Sequence, residues 1–264
     1  MQCRVCESKT VKSFNSLVMN KYSVDYFRCP NCSFLQTEQP YWLNEAYDNS
    51  INISDTGLLD RNIGFSKMLA VLIYYNFNKE AKFLDYAGGY GVFTRLMRDI
   101  GFDFYWNDPY TSNLLAKGFE ADVDIDLKYE LVTAFEVFEH LVNPKDEIKK
   151  MLQLSDTIVF STELLPDTLP EAGSWWYYGF EHGQHISFYS RKTLIELAKH
   201  FKLNYYFLES FHLFSRKKFN HKKLLVMKKF RNYGLFQMVK KMMKSKTMTD
   251  YYLLTNDQKN AKDF

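Results

Sequence analysis

Along residues 61–216 the apolar and polar positions follow two patterns, one typical of strands and one typical of helices. Continuous apolar runs that predict buried strands lie at about 82–86, 102–107, 131–137 and 156–162. Apolar residues with helical spacing lie at 61–77, 92–100 and 145–154, with a shorter stretch near 111–117. Strands that alternate with helices in this way indicate an α/β fold built on a doubly wound parallel sheet.

The segments that follow this alternation complete the predicted sheet. Residues 121–125 are a weakly marked candidate for the third strand of the sheet, which makes 131–137 the fourth. Residues 190–198 predict a helix with Ser190 as its N-cap. Residues 204–210 and 211–215 then predict two adjacent antiparallel strands. The predicted fold is therefore a Rossmann-like sheet with an antiparallel edge strand.

The first predicted strand ends in a glycine-rich turn, because residues 83–91 have the sequence Phe-Leu-Asp-Tyr-Ala-Gly-Gly-Tyr-Gly. The glycines of such a turn let the backbone approach a ligand closely. Asp85 ends this strand and Asp108 follows the second, where a carboxylate can accept both hydroxyls of a ribose. The sequence therefore predicts a site for a nucleoside-containing cofactor at the carboxyl edge of the sheet. It lacks the G-x-G-x-x-G spacing of dinucleotide-dependent dehydrogenases.

The four cysteines form two Cys-x-x-Cys pairs, Cys3 with Cys6 and Cys29 with Cys32. Two such pairs can present four thiolates tetrahedrally, which is the closed arrangement of a structural zinc site. Disulfides are not expected in a chain without an export signal, and a redox role is the remaining alternative. We expect a hairpin between the pairs and a module whose folding energy comes largely from zinc.

The composition agrees with a folded chain that does not cross a membrane. Apolar residues make up 46% of the 264 residues, which is enough for one α/β domain and a small appendage. No apolar run approaches the roughly 18–20 residues of a membrane span. The N-terminus has no signal-peptide core, so the sequence predicts a cytoplasmic protein.

Positive charge is concentrated near the C-terminus. Residues 211–249 contain 12 Lys or Arg and no Asp or Glu, so the remainder of this +3 chain carries −9. The basic segment 219–246 is amphipathic and predicted to be helical. We expect its helices to pack on the body or on a second subunit in an oligomer. An anionic membrane surface, a nucleic acid or an acidic partner is the alternative. The sequence thus predicts three parts: a zinc-binding module at 1–39, the α/β domain at 40–216 and a basic helical extension at 217–264.

The order of these motifs resembles the class I S-adenosylmethionine-dependent methyltransferases. The matching residues are 83–91 for the first motif, Asp108 for the second-strand acid, and 133–141 (Thr-Ala-Phe-Glu-Val-Phe-Glu-His-Leu) for the fourth-strand motif. Together with the cysteine pairs, the chain resembles a subgroup with an N-terminal zinc module, many of whose members methylate nucleotide-linked sugars. Ala87 stands where the family usually has glycine, and alanine fits there if its φ is negative.

The resemblance implies S-adenosyl-L-methionine as the cofactor and gives its contacts. Asp85 would face the methionine end, and Asp108 would accept the ribose hydroxyls. The adenine would lie near Pro109 and the loop 119–123. The other residues expected at the cofactor are Ala87, Gly88, Gly89, Gly91, Phe135 and Glu136.

A hydroxyl acceptor needs a general base, and histidine suits this role near neutral pH. Glu139 and His140 directly follow the fourth predicted strand. In related methyltransferases a histidine in the pattern His-Ile-Ser-Phe-Tyr-Ser, which here begins at His185, borders the acceptor site. We therefore expect His185 as the base and His140 as the second candidate. A structural role is the alternative for each histidine.

The predicted function is O-methylation of a sugar, either nucleotide-linked or destined for a surface polysaccharide. The aromatic run 175–180 in the long insertion 165–184 suits the faces of a sugar or a base, with a hydrophobic plug as the alternative. C- or N-methylation of a sugar or small phosphorylated metabolite is a second prediction, although Leu141 departs from the Glu-His-Pro pattern of sugar C-methyltransferases. An RNA-binding or RNA-modifying protein and a catalytically idle scaffold are the rivals, and nucleic acid is the less favoured partner.

Overall fold

The structure is a computed structural model that describes residues 1–48, 52, 55–123, 128–208 and 211–255. The chain divides into two compact units, each assembled from segments that are distant in sequence. Unit 1 contains Met1–Ser54, Ala134–Gln153 and Thr157–Lys218. Unit 2 contains Asp55–Thr133, Leu154–Asp156 and Phe219–Phe264.

Strands and helices alternate through most of the chain. The strands are β1 (Val11–Val18), β2 (Tyr22–Arg28), β3 (Leu35–Thr37), β4 (Lys82–Tyr86), β5 (Asp103–Asn107), β6 (Leu131–Ala134), β7 (Thr157–Phe160), β8 (Ser187–Phe188), β9 (Asn204–Phe207) and β10 (His212–Ser215). The helices are α1 (Leu43–Ala46), α2 (Leu58–Asn76), α3 (Val92–Ile100), α4 (Pro144–Leu154), α5 (Arg191–His200), α6 (His221–Phe230), α7 (Phe236–Met242) and α8 (Thr247–Leu254).

The larger sheet has six strands in the order β5-β4-β6-β7-β10-β9. Strand β4 is parallel to β5 and β6, and β10 is antiparallel to β7 and β9. This confirms the predicted α/β methyltransferase-type sheet with an antiparallel edge. Ser190 caps α5 as predicted, because its hydroxyl accepts a hydrogen bond from the backbone N–H of Thr193 at 3.1 Å.

Two element predictions need correction. The short helix expected near 111–117 is wrong, because these residues form bends and a turn. The strand expected over 131–137 ends at Ala134, and Glu136 beyond it has a φ of 55°, which is incompatible with an extended strand. The candidate strand 121–125 falls partly outside the described residues, and residues 121–123 are not strand.

The smaller sheet in unit 1 has the order β1-β2-β3-β8. Strands β1 and β2 form the hairpin expected between the cysteine pairs. Strand β8 comes from a distant part of the chain and pairs with β3, with Leu35 opposite Phe188 and Gln36 opposite Ser187. Val24, Tyr26, Tyr178 and Phe188 share one buried cluster. The N-terminal sheet therefore folds together with the segment that carries the predicted base.

The C-terminal helices pack against α2 and α3 within unit 2. The rings of Phe77 and Phe219 have centroids 5.3 Å apart, and the hydroxyl of Tyr74 donates to Met242 Sδ at 3.4 Å. Arg98 of α3 forms an ion pair with Asp250 of α8 at 2.7 Å. No helix among the described residues is long and apolar enough to span a bilayer.

Candidate active site

Asp85 lies at the end of β4 and is 2% exposed. Its carboxylate accepts hydrogen bonds from the hydroxyls of Thr133, at 2.8 Å, and Thr94, at 3.0 Å. Burial raises the pKa of Asp85 to about 7, although the hydrogen bonds from Thr133 and Thr94 oppose this shift. The two threonines hold the carboxylate in one orientation. Thr133 is the first residue of the predicted fourth-strand motif, whereas no sequence pattern indicated Thr94.

The glycine-rich turn packs directly on Asp85. A Cβ at Gly88 would lie 2.7 Å from Asp85 Oδ2 and 2.8 Å from Trp106 Cδ1, so only glycine fits without movement. Gly91 has a φ of 81°, where glycine is favoured, and it precedes α3. The indole N–H of Trp106 donates to the carbonyl of Gly89 at 2.9 Å, which fixes the turn from the neighbouring strand.

Ala87 has a φ of 55°, so the expectation that alanine fits because φ stays negative is wrong. This is the left-handed region, which an L-residue other than glycine rarely adopts. The family's usual glycine at this position therefore has a conformational reason. In this chain the turn keeps its shape at some cost in backbone strain.

Asp108 follows β5 and accepts three backbone N–H groups, from Gly89 at 2.9 Å, Tyr110 at 2.8 Å and Thr111 at 3.0 Å. The hydrogen bond from Gly89 brings the first motif and the second-strand acid together, as a shared cofactor site requires. A carboxylate has about four acceptor positions, and three are occupied here, so one remains for a ribose hydroxyl. Pro109 is exposed beside it.

The tight glycine turn and the oriented carboxylate fit the nucleoside end of S-adenosylmethionine. The glycines let the turn pack closely on Asp85, and the Asp108 carboxylate lies at the same edge of the sheet. Phe135 and Glu136 belong to unit 1. There Phe135 packs on Phe211 with centroids 5.9 Å apart, and the backbone N–H of Glu136 donates to Ser161 Oγ at 2.7 Å. Their contact with the cofactor stays a prediction.

Three histidines form a cluster in unit 1. The ring of His185 lies 5.0 Å from that of His140 and 4.7 Å from that of His182, measured between centroids. Glu139 is fully buried, and its carboxylate, a ring nitrogen of His140 and one of His185 all lie within 4.8 Å of one another. The structure thus brings together the three residues predicted for catalysis and adds His182, which sequence reasoning left unassigned.

Hydrogen bonds set the tautomers of the two candidate bases. His185 Nδ1 lies 2.7 Å from the carbonyl oxygen of Tyr177, and His140 Nδ1 lies 3.1 Å from that of Gln184. A carbonyl only accepts, so both Nδ1 atoms carry the proton and both Nε2 atoms keep a lone pair. Burial, followed by the nearby His182, lowers the pKa of His140 to about 4, which keeps this ring neutral. The hydroxyl of Tyr47 lies 3.0 Å from the same Nδ1.

The aromatic insertion divides into a buried and an exposed part. Trp175 packs on Tyr178 and Phe188, with ring centroids 5.1 Å and 5.9 Å away. Trp176 is 76% exposed and leans on Tyr177, whose ring also contacts His185 at 4.7 Å. Trp175 therefore fits the hydrophobic-plug alternative. Trp176 is exposed and can still stack on the face of a sugar or a base.

The four cysteines converge as the sequence predicts. Cys3 Sγ and Cys32 Sγ are 3.5 Å apart, Cys6 Sγ and Cys29 Sγ are 3.4 Å apart, and none is in a disulfide. Sulfur atoms on a tetrahedral zinc, at about 2.3 Å from the metal, are separated by roughly 3.8 Å. The two measured separations are within about 0.4 Å of this value.

The two cysteine turns have the same backbone design. The carbonyl of Cys3 accepts from Glu7 N–H and the carbonyl of Cys29 from Ser33 N–H, each at 2.9 Å. Glu7 and Ser33 both follow the second cysteine of a pair, and both have a positive φ, of 63° and 61°. The two turns therefore present their cysteines with the same backbone geometry.

Comparison with known proteins agrees with this geometry. Residues 64–206, more than half of the chain, match a family model described as a methyltransferase domain. No curated protein sequence matches the chain.

Solved structures with a similar fold are methyltransferases. Magnesium protoporphyrin IX methyltransferase from Synechocystis, with bound SAH, has 14% identity and a TM-score of 0.45, over 65% of this chain and 90% of that one. The plantazolicin methyltransferase BpumL in complex with SAH has 11% identity and a TM-score of 0.47, over 76% and 84%. A possible histamine N-methyltransferase from Thermotoga maritima has 12% identity and a TM-score of 0.43, over 67% and 96%.

Proposed function

The chain belongs to the methyltransferase domain family and is an S-adenosylmethionine-dependent methyltransferase, and we propose that it methylates a sugar hydroxyl with His185 as the base. The acceptor is a nucleotide-linked sugar or the precursor of a surface polysaccharide. The observation that carries this proposal is the hydrogen bond from His185 Nδ1 to the carbonyl of Tyr177, at 2.7 Å. It leaves Nε2 as a proton acceptor in a cluster with His140 and Glu139.

The cofactor supplies a methyl group that its sulfonium already activates. Asp108 would accept a ribose hydroxyl, Asp85 would face the methionine end, and the glycine turn would admit the cofactor close to the backbone. Such positioning can contribute on the order of 7–11 kcal/mol to the rate. The residues of unit 2 therefore hold and orient, and they exchange no proton in the reaction.

The proton moves on the acceptor side. His185 Nε2 would take the hydroxyl proton of the acceptor while the methyl carbon exchanges its bond to the sulfonium sulfur for one to the acceptor oxygen, which leaves the sulfur as a neutral thioether. The imidazolium that results keeps its Nδ1–H on the Tyr177 carbonyl, and the buried carboxylate of Glu139 stabilises the positive charge. His140 is the alternative base, because its Nδ1 also hydrogen-bonds a carbonyl, that of Gln184, and its Nε2 is then unprotonated.

The exposed Trp176 supports a ring-shaped acceptor. The Trp176 ring lies beside Tyr177, whose ring contacts that of His185, and an aromatic face there can stack on the apolar face of a sugar ring. The same wall would also suit a base, so an RNA substrate or an N-methylated small metabolite is an outcome that the assay must separate.

We further propose that Cys3, Cys6, Cys29 and Cys32 bind a structural Zn²⁺. The sulfur spacing and the matching geometry of the two cysteine turns support this assignment. Four protein ligands close the site, so the metal would stabilise the N-terminal sheet and would take no part in methyl transfer.

The test is incubation with isotope-labelled S-adenosylmethionine and a panel of nucleotide-sugars, phosphorylated metabolites and RNA, analysed by mass. We expect one sugar to gain one methyl group. The His185→Ala variant should lose about 10²–10⁴-fold in turnover, with its cofactor affinity unchanged in calorimetry.

Two controls separate the parts of the proposal. The His200→Ala variant, which changes an exposed histidine on α5, should keep full turnover. The Asp108→Ala variant should lose cofactor affinity. If His185→Ala turns over normally, the base assignment is wrong, and if only RNA gains the methyl group, the sugar acceptor is wrong.

A further inference from the structure

The C-terminal helices of unit 2 have an inner face that is already packed. Leu224 and Met227 of α6 and Phe236 and Val239 of α7 are buried. The side-chain amide of Asn76, on α2, donates to Met227 Sδ at 3.4 Å. The face that packs on the body is therefore accounted for, and the opposite face needs a separate explanation.

The opposite face carries large apolar side chains in solvent. Their exposed fractions are 41% for Leu225, 54% for Val226, 46% for Phe230, 80% for Tyr233 and 43% for Met238. An amphipathic helix that packs only on its own body has polar residues on its outer face. This outer face thus has more apolar surface than folding requires.

Lysines are interleaved with these apolar residues. Lys222 and Lys229 on α6 and Lys240 and Lys241 on α7 are exposed. They belong to the segment 211–249, which has 12 basic and no acidic residues. The outer surface of α6 and α7, formed by these four lysines and the five apolar residues above, is therefore both basic and apolar.

We propose that the outer surface of α6 and α7 binds the interface of an anionic lipid bilayer. A bilayer interface offers both partners that this surface needs, because its headgroups attract lysine and its acyl boundary accepts apolar and aromatic side chains. A nucleic acid would use the lysines and leave Leu225, Val226 and Met238 in water.

The break between the two helices fits this role. Tyr233 and Gly234 have non-helical backbone angles, and Gly234 has a φ of 93°. The interruption exposes Tyr233, an aromatic side chain with a polar tip, and such residues are enriched at membrane–water interfaces. The proposed membrane binding does not depend on the identity of the methyl acceptor, because none of these residues belongs to the proposed cofactor or acceptor site.

The test is co-sedimentation of the full-length protein with vesicles of phosphatidylcholine alone or mixed with phosphatidylglycerol. We expect binding to the mixed vesicles only, weakened by salt. The double variant Val226→Asp/Phe230→Asp should lower the partition coefficient at least tenfold. The Lys240→Ala/Lys241→Ala variant should lower it about tenfold and reduce its dependence on salt.

Matched controls remove the same groups elsewhere. Leu17→Asp changes an exposed apolar residue of β1, and Lys192→Ala/Lys199→Ala removes two exposed charges from α5. Both should bind like the unmodified protein, and circular dichroism should show every variant folded. Equal binding to both vesicle types, no binding to either, or controls that weaken binding as strongly would overturn the proposal. Binding to single-stranded RNA that survives Val226→Asp/Phe230→Asp, without vesicle binding, would identify a nucleic-acid surface instead.

Discussion

Ala87 is the residue at which this glycine-rich turn departs from its family and stores strain. A φ of 55° costs an L-residue about 1–2 kcal/mol, whereas glycine adopts it freely and loses about 0.5–1 kcal/mol more chain entropy on folding. We expect Ala87→Gly to raise the free energy of unfolding by roughly 0.5 kcal/mol and Ala87→Val to lower it by about 1–3 kcal/mol. Denaturant unfolding measures both.

An alanine with ordinary helical geometry provides the control. Ala70 lies within α2, where Ala→Gly should lower the free energy of unfolding by about 1 kcal/mol. If Ala87→Gly raises the free energy of unfolding and Ala70→Gly lowers it, backbone conformation decides the effect of the substitution. If both substitutions lower the free energy of unfolding, Ala87 is not strained.

Asp85 makes the stability of the cofactor-free protein depend on pH. The pKa of Asp85 is about 7 in the folded chain, well above the ordinary value of 3.8 for an aspartate. Between these values the folded state binds the extra proton, so the free energy of unfolding falls as pH rises from about 4 to 7. Asp85→Asn should remove this decline, worth on the order of a few kcal/mol.

Chemical denaturation at several pH values between about 4 and 8 would measure the effect as the difference between the variant and the unmodified protein. His140 adds a slope of the opposite sign, because burial lowers its pKa to about 4. The contribution of Asp85 must therefore be measured as the difference between Asp85→Asn and the unmodified protein at each pH, because the stability curve of one protein contains both effects. A difference that does not change with pH would contradict the raised pKa of Asp85.

The sequence predicted the site residues that a motif places and missed those that tertiary packing places. Asp85 and Asp108 stand at strand ends, so parallel topology alone brings them to one edge. Thr94 and Trp106 reach the site from a helix face and a strand interior, where nothing in a single sequence distinguishes them from core residues. The φ of Ala87 depends on the same packing, which is why alanine gave the wrong expectation.

At the scale of elements, α8 is attached to α3 by a buried ion pair. Arg98 donates to both carboxylate oxygens of Asp250, at 2.8 and 2.7 Å, and the two side chains are 3% and 5% exposed. Removing one member of such a pair leaves a buried charge with fewer partners. We expect Asp250→Asn to lower the free energy of unfolding by about 3 kcal/mol, measured by urea denaturation.

A surface pair provides the comparison for this change. Lys150 and Glu147 form an i,i+3 ion pair at 2.9 Å in which the lysine side chain is 63% exposed. Lys150→Ala should lower the free energy of unfolding by less than about 1 kcal/mol, because solvent screens the ion pair. Asp250→Asn with an equally small effect would mean that α8 adds little to the stability of unit 2.

Elements with a clear period were predictable, and elements that depend on distant partners were not. Strands β4 and β5 and helices α3 and α4 follow from apolar spacing because their own residues decide which face is buried. Strand β8 has only two residues and exists because β3 offers an open edge. The expected helix near 111–117 failed because a weak local pattern there has no packed face to support it.

At the scale of the whole molecule, the N-terminal sheet supports the predicted acceptor site inside unit 1. The carbonyl of Cys32 accepts from the hydroxyls of Thr193 and Ser190, at 2.9 and 3.3 Å. The indole N–H of Trp42 donates to the carbonyl of Gly183 at 2.8 Å, two residues before His185. Residues near the N-terminus thus contact the chain on both sides of the candidate base.

These contacts predict that losing the proposed zinc would affect turnover more than cofactor binding. Cys32→Ala, or prolonged chelation, should lower the unfolding temperature and reduce turnover at least tenfold, because His185 is no longer held on the Tyr177 carbonyl. The affinity for S-adenosylmethionine should change little, since Asp85 and Asp108 belong to unit 2. Calorimetric titration, the methyl-transfer assay and metal analysis measure the three quantities on the same samples. Lys12→Ala, on β1, is the control, since its exposed ion pair with Asp25 should be worth less than about 1 kcal/mol. A metal-free sample with unchanged turnover would show that the acceptor site does not depend on the cysteine cluster.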